Sequence, residues 1–201
     1  EPSIQMDDQR SSVNFDSAVT WPFKLRGKHY LPTRGFSKSP FPPRRMAAMT
    51  SLMWFRDDLR LHDNQALSRA AEAAALGDAP LVAVVLDEPA YPGTRPLGGA
   101  STWWRERSLY ALARDLAGRG VELIRAAGDA REEIPRLAAE LGATTVTWTR
   151  RYHGPLREVD ASVKETLTSQ GITATSSPGF TLVEPWEVTN CLLYTSPSPR
   201  D

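Results

Sequence analysis

The chain has 201 residues, 41% of them hydrophobic, and a formal net charge of zero, which suits one globular domain of ordinary size and provides no overall basic excess for nucleic-acid phosphates. A single cysteine, Cys191, excludes an intrachain disulfide and argues against a cysteine-built metal centre. No apolar run approaches the roughly 18 residues of a membrane-spanning helix, so no membrane partner is expected and an intracellular, cytoplasmic setting fits.

The neutral total hides a split. Residues 1–48 hold eight Lys/Arg against four Asp/Glu, and residues 49–190 hold 15 against 19. The first segment has prolines at 22, 32, 40, 42 and 43 and no acidic residue from Val19 to Ala48. Such a stretch buries too little apolar surface to offset its chain entropy. We read 1–48 as a disordered leader or translated upstream sequence, in preference to an organelle-targeting peptide, with Met49 as the natural start. Residues 191–201, Cys-Leu-Leu-Tyr-Thr-Ser-Pro-Ser-Pro-Arg-Asp, back-translate to a sequence resembling a transposase sequencing adapter and are read as an artefact.

Residues 49–190 alternate strand and helix signals. The first strand is predicted over Ser51–Phe55, followed by a charged turn, Arg56-Asp57-Asp58-Leu59-Arg60-Leu61-His62. Asp63 is the expected N-cap of the first helix, with Leu67, Ala71 and Ala74 on its buried face and Gly77 as its stop. Leu81–Leu86 is a continuous apolar run suited to a strand covered on both faces. After a Pro/Gly-rich loop, Asp87–Gly99, a second helix is predicted over 100–117 with Leu109, Leu112 and Leu116 at helical spacing. Val121–Arg125 is the third strand. Asp129 and Glu132 make a capping-box-like start to a third helix burying Ile134, Leu137, Ala138 and Leu141. Thr144–Thr149 is the fourth strand, Arg157–Ser169 the fourth helix, and Ile172–Thr175 the fifth strand.

This alternation predicts an α/β fold: a Rossmann-like, doubly wound, five-stranded parallel sheet with helices on both faces. Ligands in such sheets bind at the carboxyl ends of the strands, here the loops Arg56–His62, Asp87–Gly99, Ala126–Asp129 and Arg150–Leu156. No G-x-G-x-x-G follows a strand and no Walker pattern occurs, so a dinucleotide or ATP site is not predicted. No Ser-His-Asp or Cys-His arrangement is supported. His62 has no partner at metal or catalytic spacing and is read as a surface residue. Arg56, Asp57, Asp58 and Arg60 either organise the ligand edge or dock a further domain, or else form a solvated turn of weak ion pairs. Trp103, Trp104 and Trp148 are read as packing aromatics, and Trp186 as packing against whatever follows it.

Five ordered segments carry a resemblance. They are Trp54-Phe55-Arg56-Asp57-Asp58-Leu59-Arg60 with Asp63-Asn64 and Leu67; Gly99-Ala100-Ser101-Thr102-Trp103-Trp104 with Ser108-Leu109 and Leu112; Gly128-Asp129; Trp148-Thr149-Arg150-Arg151-Tyr152 with Asp160 and Val163-Lys164; and Leu182-Val183-Glu184-Pro185-Trp186-Glu187-Val188. In order and spacing they resemble the N-terminal α/β domain of the DNA photolyase/cryptochrome family, in its bacterial photolyase form. Asp57, Thr149 and His153-Gly154 depart from the common pattern.

The resemblance implies a parent that repairs DNA in the light, with catalytic FAD in a helical domain that follows a linker after Val188. That domain would be the partner of this one, and damaged DNA would be engaged only through it. The α/β domain would hold an antenna chromophore, and no catalytic residue or metal ligand is expected here. Asp87, Arg150, Arg151 and Tyr152 are the antenna-binding candidates. Pro155-Leu156 stand where folate-binding relatives tend to offer Asn-Glu, so a deazaflavin or flavin antenna is favoured over folate. A cryptochrome-type photoreceptor and a stand-alone nucleotide-binding α/β protein are the alternatives. Nothing in the sequence sets the oligomeric state.

Overall fold

The computed structural model describes residues 24–25 and 49–188. The readings made of the rest of 1–48 and of 189–201 lie outside the described residues. The element order is β1 (Lys24–Leu25), β2 (Thr50–Phe55), α1 (Gln65–Leu76), β3 (Leu81–Asp87), α2 (Gly99–Ala117), β4 (Glu122–Ala127), α3 (Ala130–Glu140), β5 (Ala143–Thr149), α4 (Gly154–Ser169) and β6 (Thr173–Ser177). The strands form one sheet in the order β1-β4-β3-β2-β5-β6, parallel at every pairing. The five expected strands are present, and Lys24–Leu25 adds a sixth beside Ile124–Arg125. That short pairing was not legible, because two residues carry no period.

Two cores explain the winding. On one face, Leu52, Trp54, Val84, Val146 and Trp148 pack against Ile134, Leu137, Val159, Val163 and Leu167 of α3 and α4. On the other, Met53, Phe55, Ala83 and Val85 pack against Ala66, Ala70, Leu109, Leu112 and Leu116 of α1 and α2. Strand side chains alternate between faces, so β2 sends Leu52 and Trp54 to one core and Met53 and Phe55 to the other. The first core is filled by aromatics: Trp54 and Trp148 are fully buried, with ring centroids 5.9 Å apart. Each contributes about 4–6 kcal/mol of apolar burial at ~25 cal/mol per Å².

The second core is thin by design of its residues. Alanines at 66, 70 and 74 are the buried positions of α1, which lets the helix backbone approach the sheet. Ser51 Oγ then donates to the Ala70 carbonyl at 2.8 Å, and Thr147 Oγ1 to the Ala66 carbonyl at 2.9 Å.

Several boundaries differ from the sequence reading. The N-cap of α1 is Asn64, not Asp63: Asn64 Oδ1 accepts from the Leu67 N–H at 3.0 Å, while Asp63 turns the chain with φ 49°. The one-residue shift brings Ala66, Ala70 and Ala74 inward, leaving Leu67 half-buried and Ala71 exposed. Helix α4 begins at Gly154 rather than Arg157, because Pro155 occupies its first turn, where a fixed φ and a missing N–H cost nothing. Asp129 does cap α3, accepting from the Arg131 N–H at 2.9 Å. Trp148 is core, but Trp103 and Trp104 are 49% and 68% exposed on the opening turns of α2, so they are not core packing.

Candidate functional site

Strand β2 lies between β3 and β5, so the chain leaves it in one direction through α1 and later resumes on its other side. The carboxyl ends of β2 and β5 therefore form the topological switch point, where a crevice opens in sheets of this kind. The turn Arg56–Asn64 and the residues after Thr149 meet there.

The turn is not a solvated loop. Arg56 and Asp58 are buried, whereas Asp57 and Arg60 face outward. Asp58 accepts from the Arg56 backbone N–H at 3.1 Å, from Asn64 Nδ2 at 3.0 Å, and from Thr149 Oγ1. One carboxylate thus ties the end of β2 to the start of α1 and the end of β5. Asn64 suits this junction because its amide caps the helix with one atom and donates to Asp58 with the other.

Beneath it lies an ion cluster. Asp160 Oδ1 of α4 accepts from Arg56 Nη1 at 2.6 Å and from Arg151 Nη2 at 2.8 Å. Arg151 Nη1 also donates to both oxygens of Glu88, at 3.0 and 3.1 Å, and Arg56 donates to the Thr149 carbonyl. Both guanidinium groups lie over Trp54, at 4.5 and 5.8 Å from its ring centre. Burial lowers the pKa of Arg56, opposed by Asp160 and reinforced by neighbouring Arg151. Burial acts the same way on Arg151, but Asp160 and Glu88 outweigh it and hold that group above its ordinary value.

Above the cluster is a cleft of about 450 Å³, lined by Asp58, Arg60, Asp63, Asn64, Gln65 and Thr149 on one side and by 178–182, Glu184 and Glu187 on the other. Its far wall is irregular chain after β6. Glu184, 8% exposed, accepts from Arg150 and from the Tyr152 hydroxyl, 3.0 Å from each of its oxygens. Trp186 stacks beside Tyr152 with ring centroids 6.4 Å apart, and Arg150 lies 5.1 Å over its ring.

The four antenna candidates fall into three places. Arg150 and Tyr152 converge on Glu184 and Trp186 at the cleft wall. Arg151 turns down into the buried cluster. Asp87 sits at the end of β3, engaged by Arg105 and by Arg125 Nε at 2.7 Å. Burial lowers the pKa of Arg125, but its bonds to Glu106 and Asp87 outweigh that and hold it above its ordinary value. Asn64, Gly179 and Glu184, which the sequence reading did not name as site residues, line the cleft itself. Glu184 was visible only within an unassigned motif, Leu182–Val188, and Asn64 only at a helix start placed one residue early, while Gly179 left no signal. His62 is exposed, as expected.

Fold and crevice together define a Rossmann-like α/β domain with a ligand cleft at the switch point of a parallel sheet. The sequence matches the DNA photolyase family over residues 51–196, and the chain belongs to that family. It is 40% identical over 134 residues to a deoxyribodipyrimidine photo-lyase of Agrobacterium fabrum, covering 67% of this chain and 26% of that one. It is 36% identical over 142 residues to cryptochrome-1 of Arabidopsis thaliana, covering 70% and 20%. Among solved structures it resembles a class III photolyase from Agrobacterium tumefaciens with a TM-score of 0.64 at 36% identity, covering 78% of this chain and 31% of that one. The chain spans about a quarter of the length of the curated relatives it matches. Among the described residues no helix is long and apolar enough to cross a membrane.

Proposed function

We propose that this chain is the N-terminal antenna-chromophore domain of a light-dependent DNA repair photolyase of the deoxyribodipyrimidine type. The observation that carries the reading is the 40% identity to a named photolyase, over a fold whose cleft sits where this architecture places ligands. A volume of about 450 Å³ lies within the usual range for a small flat ligand. Bound there, such a chromophore supplies light absorption and excitation transfer to FAD.

The chain's own residues bind and orient. Asp58 and Asn64 form the floor, Phe180 offers an apolar surface, and Arg150 and Tyr152 frame the wall. Arg151 and Asp87 fix the flanking loops through their ion pairs. Pro155 and Leu156 lie in the first turn of α4, with Leu156 packed on the core. Neither offers a hydrogen-bonding side chain to a folate, which supports a deazaflavin or flavin. The catalytic FAD does not fit this cleft. The turn Arg56–Asn64 has no glycine, and Asp58 and Asp63 stand where a diphosphate would meet the start of α1. FAD and the damaged DNA belong with a helical domain encoded beyond Val188, in a soluble intracellular protein. Residues 49–190 are the body of the domain, to whose sheet Lys24–Leu25 adds an edge strand.

The test is to sequence the locus across codons 180–201, express the whole reading frame, and irradiate it with DNA bearing pyrimidine dimers. Blue-light loss of dimers is the expected result. No repair, with a light-induced flavin signal intact, favours the second reading, a cryptochrome-type photoreceptor, which the 36% identity to cryptochrome-1 supports.

A further inference from the structure

The wall of the cleft is held in an unusual way. From Pro178 to Val188 the chain has neither helix nor strand structure, and Phe180, Leu182, Val183, Trp186 and Val188 are each about half exposed or more. Little apolar burial therefore holds this segment, and segments of that kind open locally at low free energy.

Besides the Trp186 ring, which packs on Tyr152 and under Arg150, three residues anchor it. Glu184 receives Arg150 and Tyr152, and these bonds are charge-assisted, the stronger kind. Thr181 Oγ1 adds a bond to the same Tyr152 hydroxyl at 3.1 Å. At the other end, Gly179 lies directly on β5: a Cβ there would stand 2.5 Å from Thr149 Cγ2. Thr149 is buried and bonded to Asp58, so it has no room to yield. Glu187, by contrast, is exposed.

We infer that Glu184 is a positioning residue that pins 178–188 shut as the movable wall of the switch-point cleft, and so sets how fast a ligand leaves it. The ligand part rests on the reading of the cleft as a chromophore site. Without Glu184, the hydrogen bonds left to the Arg150 guanidinium go to the Ser176 carbonyl and hydroxyl, at 3.2 and 3.3 Å, which belong to β6, and its one contact with the wall is the Trp186 ring, 5.1 Å away. Tyr152 then touches the wall only through Thr181 and the Trp186 ring.

The experiment is amide hydrogen exchange over 179–187 in the full chain, with the release rate of the co-purified chromophore followed by absorbance. Glu184→Ala is expected to raise exchange there about tenfold, to speed release by a similar factor, and to leave exchange in β2 and β5 unchanged. Glu184→Gln keeps an acceptor oxygen and should recover part of both effects. Gly179→Ala reaches the same wall without touching the carboxylate and should also raise both rates. Unchanged exchange in Glu184→Ala overturns the pin. Faster exchange with unchanged release overturns the gating role. A wild-type protein carrying no chromophore, but with 179–187 protected through Glu184, removes the antenna reading and leaves the pin standing.

Discussion

Arg150 and Arg151 are neighbours in sequence and opposites in the structure. Arg151 points into the protein, where it shares Asp160 Oδ1 with Arg56 and grips Glu88 over the face of Trp54. Arg150 points toward the segment after β6, where it meets Glu184 and covers Trp186. The first cluster is largely buried, with Glu88 at its edge, and joins β2, β3, β5 and α4. The second joins a strand end to an irregular segment whose apolar groups remain exposed. The contrast shows one residue type used twice: once to fix the geometry of the switch point, and once to hold a wall that can open.

The sharpest way to break this contrast is Asp160→Ala. It leaves Arg56 and Arg151 buried with like charges and no shared acceptor, and we expect a loss of about 3–5 kcal/mol, measured by chemical denaturation. Asp160→Asn keeps an acceptor and should lose less. If both variants melt like the wild type, the inner cluster is no more structural than the outer one.

Next in size is Asn64→Ala, which removes the cap of α1 and a donor to Asp58. A loss of about 1–2 kcal/mol is expected, read from the same denaturation curves. Arg150→Ala should cost less globally than Asp160→Ala, because the irregular segment that carries Glu184 can open and hydrate the carboxylate, yet raise amide exchange over 179–187. A global loss equal to that of Asp160→Ala would erase the distinction between the two arginines. Arg136→Ala marks the floor of the scale. Its pairs with Glu133 and Glu140 lie on the exposed face of α3, so its melting temperature should match the wild type within the effect of about 0.5 kcal/mol.

Much of this molecule could be read from its residues. The run Leu81–Leu86 needed two covered faces and received them, and Leu109, Leu112 and Leu116 were inward as their spacing required. Asp129 capped α3 because the helix start lay next to it. Asp63 was misread because Asp and Asn both cap helices, and only the positive φ at 63 decides between adjacent candidates. Trp103 and Trp104 were read as core or interface packing, and only the structure excludes the core, because an apolar side chain announces its preference for burial, not whether a neighbour reaches it. At the site, Asp58 was visible only as part of a charged turn. Its burial depends on Thr149, 91 residues away.

The sequence by itself determined the alternation of strands and helices, the two-faced burial of the sheet and the family, because hydrophobic period, caps and ordered motifs are local properties. Tertiary structure alone decided which charges are buried, which arginine reaches the segment after β6 and which carboxylate receives it. Those outcomes depend on pairing across long separations, 104 residues for Arg56 with Asp160 and 34 for Arg150 with Glu184. A charged side chain carries no mark of its partner. Its role is set by the desolvation it meets and the counter-charge that the fold delivers to it.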